Sequence, residues 1–154
     1  LDWGGDSGVN TPFRGRAAAH DIYDISGRPV VDGARRVDRA AALSQTYDLV
    51  VCGNVIEHVS WPRDILRDIA AFMGPRTALY LEVPHEDVVR LIDEPGARLA
   101  AKRHWHEHIN FFTAEALDAA LASAGLVAAA RVSHPVVAGG KASHVFSIVA
   151  RKAG

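Results

Sequence analysis

The sequence predicts an α/β fold: a mainly parallel twisted sheet with helices on both faces and one antiparallel edge strand. Three observations predict it. Short apolar runs alternate with helical patterns along the chain, the signature of parallel βαβ units. The run Asp48-Leu49-Val50-Val51-Cys52 is apolar and β-branched without alternation, as a strand buried on both faces reads. A glycine-rich turn at residues 4–8 directly follows the strand tail Leu1-Asp2-Trp3, and glycine gives the main chain access to positive φ there.

The remaining elements follow in order. A second strand is expected over 17–23, preceded by only a short helical piece because Pro12 and Gly15 interrupt it. A brief third strand over 35–37 ends at Asp38. Ser60-Trp61-Pro62 is a helix start with proline in the first turn. Ile65, Leu66, Ile69, Phe72 and Met73 then share one helical face, and Gly74-Pro75 stops it. Residues 78–83 form a fifth strand terminated by Pro84, and 87–102 are helical in part, broken by Pro95-Gly96. Thr113 caps a helix reaching Ala124, with Leu117 and Leu121 inward and Gly125 as its stop. Strands over 126–132 and 145–150 flank Gly139-Gly140 and pair antiparallel at one sheet edge.

With 154 residues and no internal repeat or linker, the chain is expected to be one domain spanning 1–154. It starts without Met inside what reads as a strand, so an N-terminal part of the domain is expected upstream of Leu1. Lys and Arg number 17 against 18 Asp and Glu, which gives no basic surface for nucleic acid or an anionic membrane as partner. Cys52 is the single cysteine and cannot close an internal disulfide. With neither a signal peptide nor a membrane-spanning run, a cytoplasmic location is expected.

The glycine turn excludes two common ligand motifs. The dinucleotide fingerprint requires glycines at offsets zero, two and five, but counting from Gly4 gives Gly4, Asp6 and Val9. No Lys-Ser or Lys-Thr pair follows, so it is not a phosphate-binding P-loop. An acid two residues before the first glycine suits a cationic or neutral ligand better than a pyrophosphate. A tight turn without a ligand is the plain alternative. The most unusual segment is His104-Trp105-His106-Glu107-His108-Ile109-Asn110-Phe111-Phe112-Thr113. As a catalytic or substrate-binding loop it places proton-exchanging imidazoles before a helix cap. As a strand it would put His104, His106 and His108 on one face, where they could ligate a metal. The ranking is catalytic or substrate-binding loop first, then a polar structural loop, then the metal site, so no metal is assigned.

The turn resembles the first motif of class I S-adenosylmethionine-dependent methyltransferases, with Asp2, Gly4 and Gly8 matching and Asp6 standing where that family has its middle glycine. Tyr23-Asp24-Ile25-Ser26 resembles the end of the family's second strand, whose carboxylate takes the two ribose hydroxyls; Asp21 competes for that role. Asp38 falls where the family often contacts the adenine amino group. Residues 47–59 resemble the fourth strand and the loop that borders both cofactor and acceptor, and 80–84 resemble the fifth strand. The resemblance implies a Rossmann-like three-layer sandwich that binds S-adenosylmethionine. Its cofactor-binding residues are Asp2, Gly4, Gly5, Gly8, Asp24, Asp38, Gly53 and Asn54.

The histidine-rich run resembles the pre-helix loop of a subgroup containing sugar C-methyltransferases and polysaccharide-cluster enzymes. There an aromatic residue and then a Glu-His pair lie at the acceptor, and Trp105, Glu107 and His108 match, with Trp in place of a tyrosine phenol. This implies methyl transfer to a small, sugar-like acceptor, with His108 as general base or orienting group. Glu107, His106 and His58 complete the catalytic candidates, and Glu57, His58 and Trp105 are implied to bind the acceptor. A methyltransferase acting on a quinone, lipid or phenolic oxygen is the alternative enzyme, and a non-catalytic cofactor-binding module the alternative outside enzymology. The acceptor and the oligomeric state are not legible.

Overall fold

The computed structural model describes residues 1–86, 91–101, 107–138 and 141–154. Along them run β1 (Asp2–Trp3), a 3-10 turn (Arg14–Arg16), β2 (His20–Tyr23), β3 (Ala34–Arg36), α1 (Arg39–Leu43), β4 (Leu49–Gly53) and α2 (Pro62–Phe72). β5 (Ala78–Pro84), α3 (Pro95–Ala101), α4 (Ala114–Ser123), β6 (Leu126–Ala138) and β7 (Lys141–Lys152) follow. The strands form one sheet in the order β3-β2-β1-β4-β5-β7-β6.

β1 to β5 pair parallel, whereas β7 runs antiparallel to both β5 and β6. The mainly parallel α/β sheet is therefore as expected, but its antiparallel strand lies one place in from the edge, which β6 occupies. Burial explains the order. Val145, Phe146, Ile148 and Ala150 of β7 are buried, while Val127, Val132 and Val137 of β6 are exposed. Pro135 in β6 cannot donate to a ladder, a residue an outer strand tolerates. Both strands are longer than the sequence suggests, because the hairpin ladder continues to Ala138 and Lys141.

Alternation along the strands divides the sheet's two faces. Trp3, Val50, Cys52, Leu79, Leu81, Val83, Phe146 and Ile148 join Leu66, Ile69 and Met73 from the α2 segment and Leu117 and Leu121 of α4 in one core. α2 opens on Pro62 at its first position, and Met73 leaves the helix in extended conformation before Gly74-Pro75. Fully burying a Leu or Ile such as Leu66 or Ile69 contributes roughly 1.5–3 kcal/mol. α4 starts at Thr113, whose hydroxyl accepts the Ala116 N–H at 3.2 Å, and stops at Gly125 with φ +71°.

α1, α2 and α4 pack in series, so they share one layer. The opposite face, carrying Asp2, Ile22 and Val51, is covered at this end by the loop after β1, whose Phe13 stands edge-on to Tyr80 at 5.4 Å. The two helical layers expected from the sequence are thus unequal among the described residues. α1 is an element that sequence periodicity missed, and Asp38 is its N-cap. Leu91 is helical, residues 92–94 are not, and Pro95 opens α3, so the stretch is interrupted as expected but just before Pro95, where the Glu94 carboxylate accepts the Gly96 and Ala97 N–H groups.

Because the Thr113 cap fixes where the preceding loop becomes helix, Thr113→Ala is expected to cost about 1 kcal/mol of unfolding free energy. Thr113→Ser should retain most of it, as measured by urea denaturation.

Candidate active site

The strand order puts β1 between β2 and β4. The chain therefore leaves β1 toward one side of the sheet and resumes on the other after β3, which opens a crevice at the carboxyl ends of the strands. The glycine turn sits in that crevice. Gly4 and Gly8 have φ of +81° and +79°, and side chains of Val55 and Ile22 fill the space a Cβ would need. Asp6 adopts the left-handed conformation too, with φ +52°, which aspartate tolerates better than most residues. Its carboxylate is engaged by Arg28 at 3.1 Å and Ser26 at 3.0 Å.

The turn is tied to the end of β2. Asp24 accepts the Asp6 N–H through Oδ2 at 2.9 Å and the Ser26 N–H through Oδ1 at 2.7 Å. Burial works against the charge, but these N–H groups together with the Ser26 hydroxyl and the Arg36 charge outweigh it and hold the Asp24 carboxyl below the usual carboxylate range. Each oxygen keeps a further lone-pair position. Asp21, the competing acid, is consumed elsewhere: Arg35 grips it bidentately at 2.9 and 2.7 Å, and the Tyr47 hydroxyl donates to it at 3.2 Å. Burial and the Asp21 charge push the Tyr47 phenol up to about 12. Asp38 lies past β3 with its carboxylate on the Ala41 N–H at 2.7 Å.

Asp2 is buried beneath the turn, so close to Gly5 that a Cβ there would run into its carboxylate. Burial raises its pKa, opposed by the Thr11 hydroxyl donating at 2.5 Å. Gly53 ends β4, and Asn54 beyond it has φ +54° and donates its N–H to the Glu82 carbonyl at 2.9 Å. Val55 then packs on Gly4, joining the β4 loop to the glycine turn.

The same loop carries the second half of the site. Glu57 is 1% exposed, and neither of its carboxylate oxygens has a hydrogen-bond partner among the described residues. Burial pushes its pKa up, with its own backbone N–H, then His58 and His108, acting against that. Residues 107–110 dock onto this loop as irregular chain. The Ile109 and Asn110 N–H groups both donate to the Glu57 carbonyl at 2.9 and 3.0 Å, and the Asn110 amide bridges the Ile56 and Val59 carbonyls at 3.0 and 2.7 Å. His58 Nδ1 donates to the Glu107 carbonyl, and His58 Nε2 lies 3.6 Å from Glu57 Oε1. His108 Nδ1 lies 2.7 Å from Glu86 Oε2, and the His58 and His108 rings meet edge-on at 4.9 Å.

Of the predicted acceptor-side residues, Glu57, His58 and His108 therefore converge. Glu107 contributes its carbonyl, and its side chain is exposed. His104, Trp105 and His106 lie outside the described residues. The strand that would have aligned three alternating histidines is not formed at His108, where the chain is irregular; the groups gathered around it come from distant parts of the sequence. Glu86 was missed. Its signal was a carboxylate two residues beyond Pro84, at the carboxyl end of β5. A cavity of about 950 Å³ adjoins the cluster at Glu86 and Asn110, with Trp61, Phe111 and Phe112 in its walls.

Residues 1–130 match the methyltransferase domain family. The chain belongs to that family. This methyltransferase domain also shares its fold with solved structures. It is similar to the mitomycin 7-O-methyltransferase MmcR (21% identity, TM-score 0.61, 99% of this chain and 48% of that one). It is similar as well to a SAM-dependent methyltransferase from Anabaena variabilis (12%, 0.72, 98% and 75%) and to LepI in complex with SAM (12%, 0.64, 98% and 42%). The domain thus spans about half the length of MmcR and less of LepI. No curated protein matches it. Among its described residues, no helix is long and apolar enough to cross a membrane.

The buried Glu57 carboxylate, which has no hydrogen-bond partner among the described residues, has a stability consequence. Its folded-state pKa lies above its unfolded value, so its penalty is absent below the unfolded pKa and grows as pH rises through the folded one. Glu57→Gln is therefore expected to raise the Tm of metal-free protein at pH 8, by roughly 2–4 °C for each ~1 kcal/mol relieved. The gain should shrink toward pH 4 in a calorimetric series.

Proposed function

We propose that this domain transfers a methyl group from S-adenosylmethionine to a small, hydroxyl-bearing, sugar-like acceptor. The observation that carries the reading is the junction at Gly4 and Val55, which sets the crevice at β1 directly beside the cluster of Glu57, His58, Glu86 and His108. The crevice fits the cofactor. Asp24 is held ionised with lone pairs to spare for two ribose hydroxyls, the turn offers no phosphate-binding lysine, and Asp2 and Glu57 suit a cationic centre. Asp38, Gly53 and Asn54 border the same strand ends, where the adenine and methionine portions would be held. When bound, S-adenosylmethionine supplies an electrophilic methyl group on sulfur.

The domain's own residues then have to align and activate the acceptor. In its neutral form, with Nδ1 donating to Glu86, the His108 ring carries its lone pair on Nε2. That nitrogen is where an acceptor hydroxyl is held and its proton managed. His58 and Glu57 line the same spot, and Glu86 fixes the ring. A second reading, an acceptor with an aromatic body and a phenolic oxygen, is favoured by Trp61, Phe111 and Phe112 in the adjoining cavity.

Two measurements on the intact protein test the halves separately. Asp24→Ala should weaken S-adenosylmethionine binding by more than about tenfold in calorimetry, since a hydrogen bond to a charged group contributes about 1.5–3 kcal/mol. Unchanged affinity removes the ribose role. His108→Ala should lower turnover by about 10²–10⁴ while cofactor affinity survives, and near-normal turnover removes His108 from activation. Labelled cofactor offered to sugar nucleotides and to phenols separates the two acceptor readings.

A further inference from the structure

We propose that Glu57, His58 and His108 bind a divalent first-row transition-metal ion. One ligand atom from each lies within 4.8 Å of the other two, a spread that small side-chain rotations bring to coordination distance. The donor set is two imidazoles and one carboxylate, which suits zinc, cobalt, manganese or iron over the harder magnesium.

Two features beyond proximity point to a cation. Glu57 is buried with both oxygens lacking a hydrogen-bond partner among the described residues, and a dry carboxylate is costly unless paired or bound to metal. The second feature is the orientation of the rings. His58 Nδ1 donates to a backbone carbonyl and His108 Nδ1 to a carboxylate, Glu86. Both partners fix the tautomer that leaves Nε2 as the ligating nitrogen, the outer-shell arrangement of histidine ligands. His58 Nε2 already faces Glu57 Oε1. The backbone clamp from Ile109 and Asn110 to Glu57 holds the two contributing segments together without using any ligand atom.

What the ion does rests on the proposed acceptor site: with coordination positions left open, it lowers the pKa of a bound acceptor hydroxyl, whose proton passes to solvent. With the ion in place, His108 Nε2 is its ligand, and the ion takes over the acceptor hydroxyl that the metal-free reading places on that nitrogen. The binding itself stands on the cluster alone.

The test uses intact protein stripped by chelation and titrated with Co²⁺ and Zn²⁺, reading cobalt visible absorption and zinc calorimetry. One equivalent should bind, and Mg²⁺ should not compete. Glu57→Gln and His108→Ala, each checked for folding by circular dichroism, should lose stoichiometric binding. Glu86→Gln should weaken it about 10–100-fold. No stoichiometric binding, or binding unchanged in Glu57→Gln and His108→Ala, overturns the site. S-adenosylmethionine affinity is measured on the same stripped samples. Retained cofactor binding without metal binding rejects the ion and leaves the proposed methyl transfer standing, so the two failures are distinguishable.

Discussion

The hydrogen bonds from Ile109 and Asn110 to the loop after β4 decide where Glu57, His58 and His108 meet. Four bonds converge on the carbonyls of Ile56, Glu57 and Val59. They cross about fifty residues of sequence, and they are made by backbone and by an amide, not by the titratable groups they position. His108 reaches Glu57 and His58 because its neighbours are pinned there. The same clamp keeps the loop's carbonyls paired inside the fold, where unpaired ones would cost as much as a lost hydrogen bond.

The glycine turn shows how a departure from a motif can be absorbed. Asp6 keeps a left-handed backbone where the resemblance expects glycine. Its side chain, which glycine would lack, meets Arg28 and Ser26, while Arg36 donates to the carbonyls of Asp6, Asp24 and Arg28. The exposed Arg28–Asp6 pair contributes little energy by itself. Its value is geometric: it keeps the turn against the end of β2, so the Asp24 carboxylate stays beside the crevice.

Much of this was legible in the sequence, and the gaps have physical causes. β4, α2 and α4 were readable because burial imposes its period on every residue of those elements. α1 was not, since five residues give barely one turn and its alanines carry no amphipathic contrast. The place of β7 was not legible because pattern reveals that a strand is buried, not which neighbour buries it. The interruption expected at Pro95-Gly96 falls at residues 92–94 instead, because proline at a helix start and proline in a helix interior look alike until the capping Glu94 is seen in place. Within the site, Glu57, His58 and His108 could be named from residue type and position, but their convergence depends on Asn110 and Glu86. An asparagine that bridges carbonyls has the same local sequence as one in solvent.

Asp2 and Glu57 show what only the fold distinguishes. Both are acids near the carboxyl ends of central strands, both are buried, and burial raises the pKa of both. Asp2 has a donor in Thr11 and sits tight beneath Gly5, so its charge is answered within the fold and its task is to brace the turn. Glu57 has no such side-chain donor among the described residues, and the residues facing it are two imidazoles whose other nitrogens are already committed. A fold that needed only a filler at that position would gain by an apolar residue or an amide. Keeping a carboxylate there costs stability unless a cation is bound beside it, which is what the proposed metal site would supply. The asymmetry separates the two acids: Asp2 is held by a donor of the fold, and Glu57 faces the imidazoles of the proposed acceptor side.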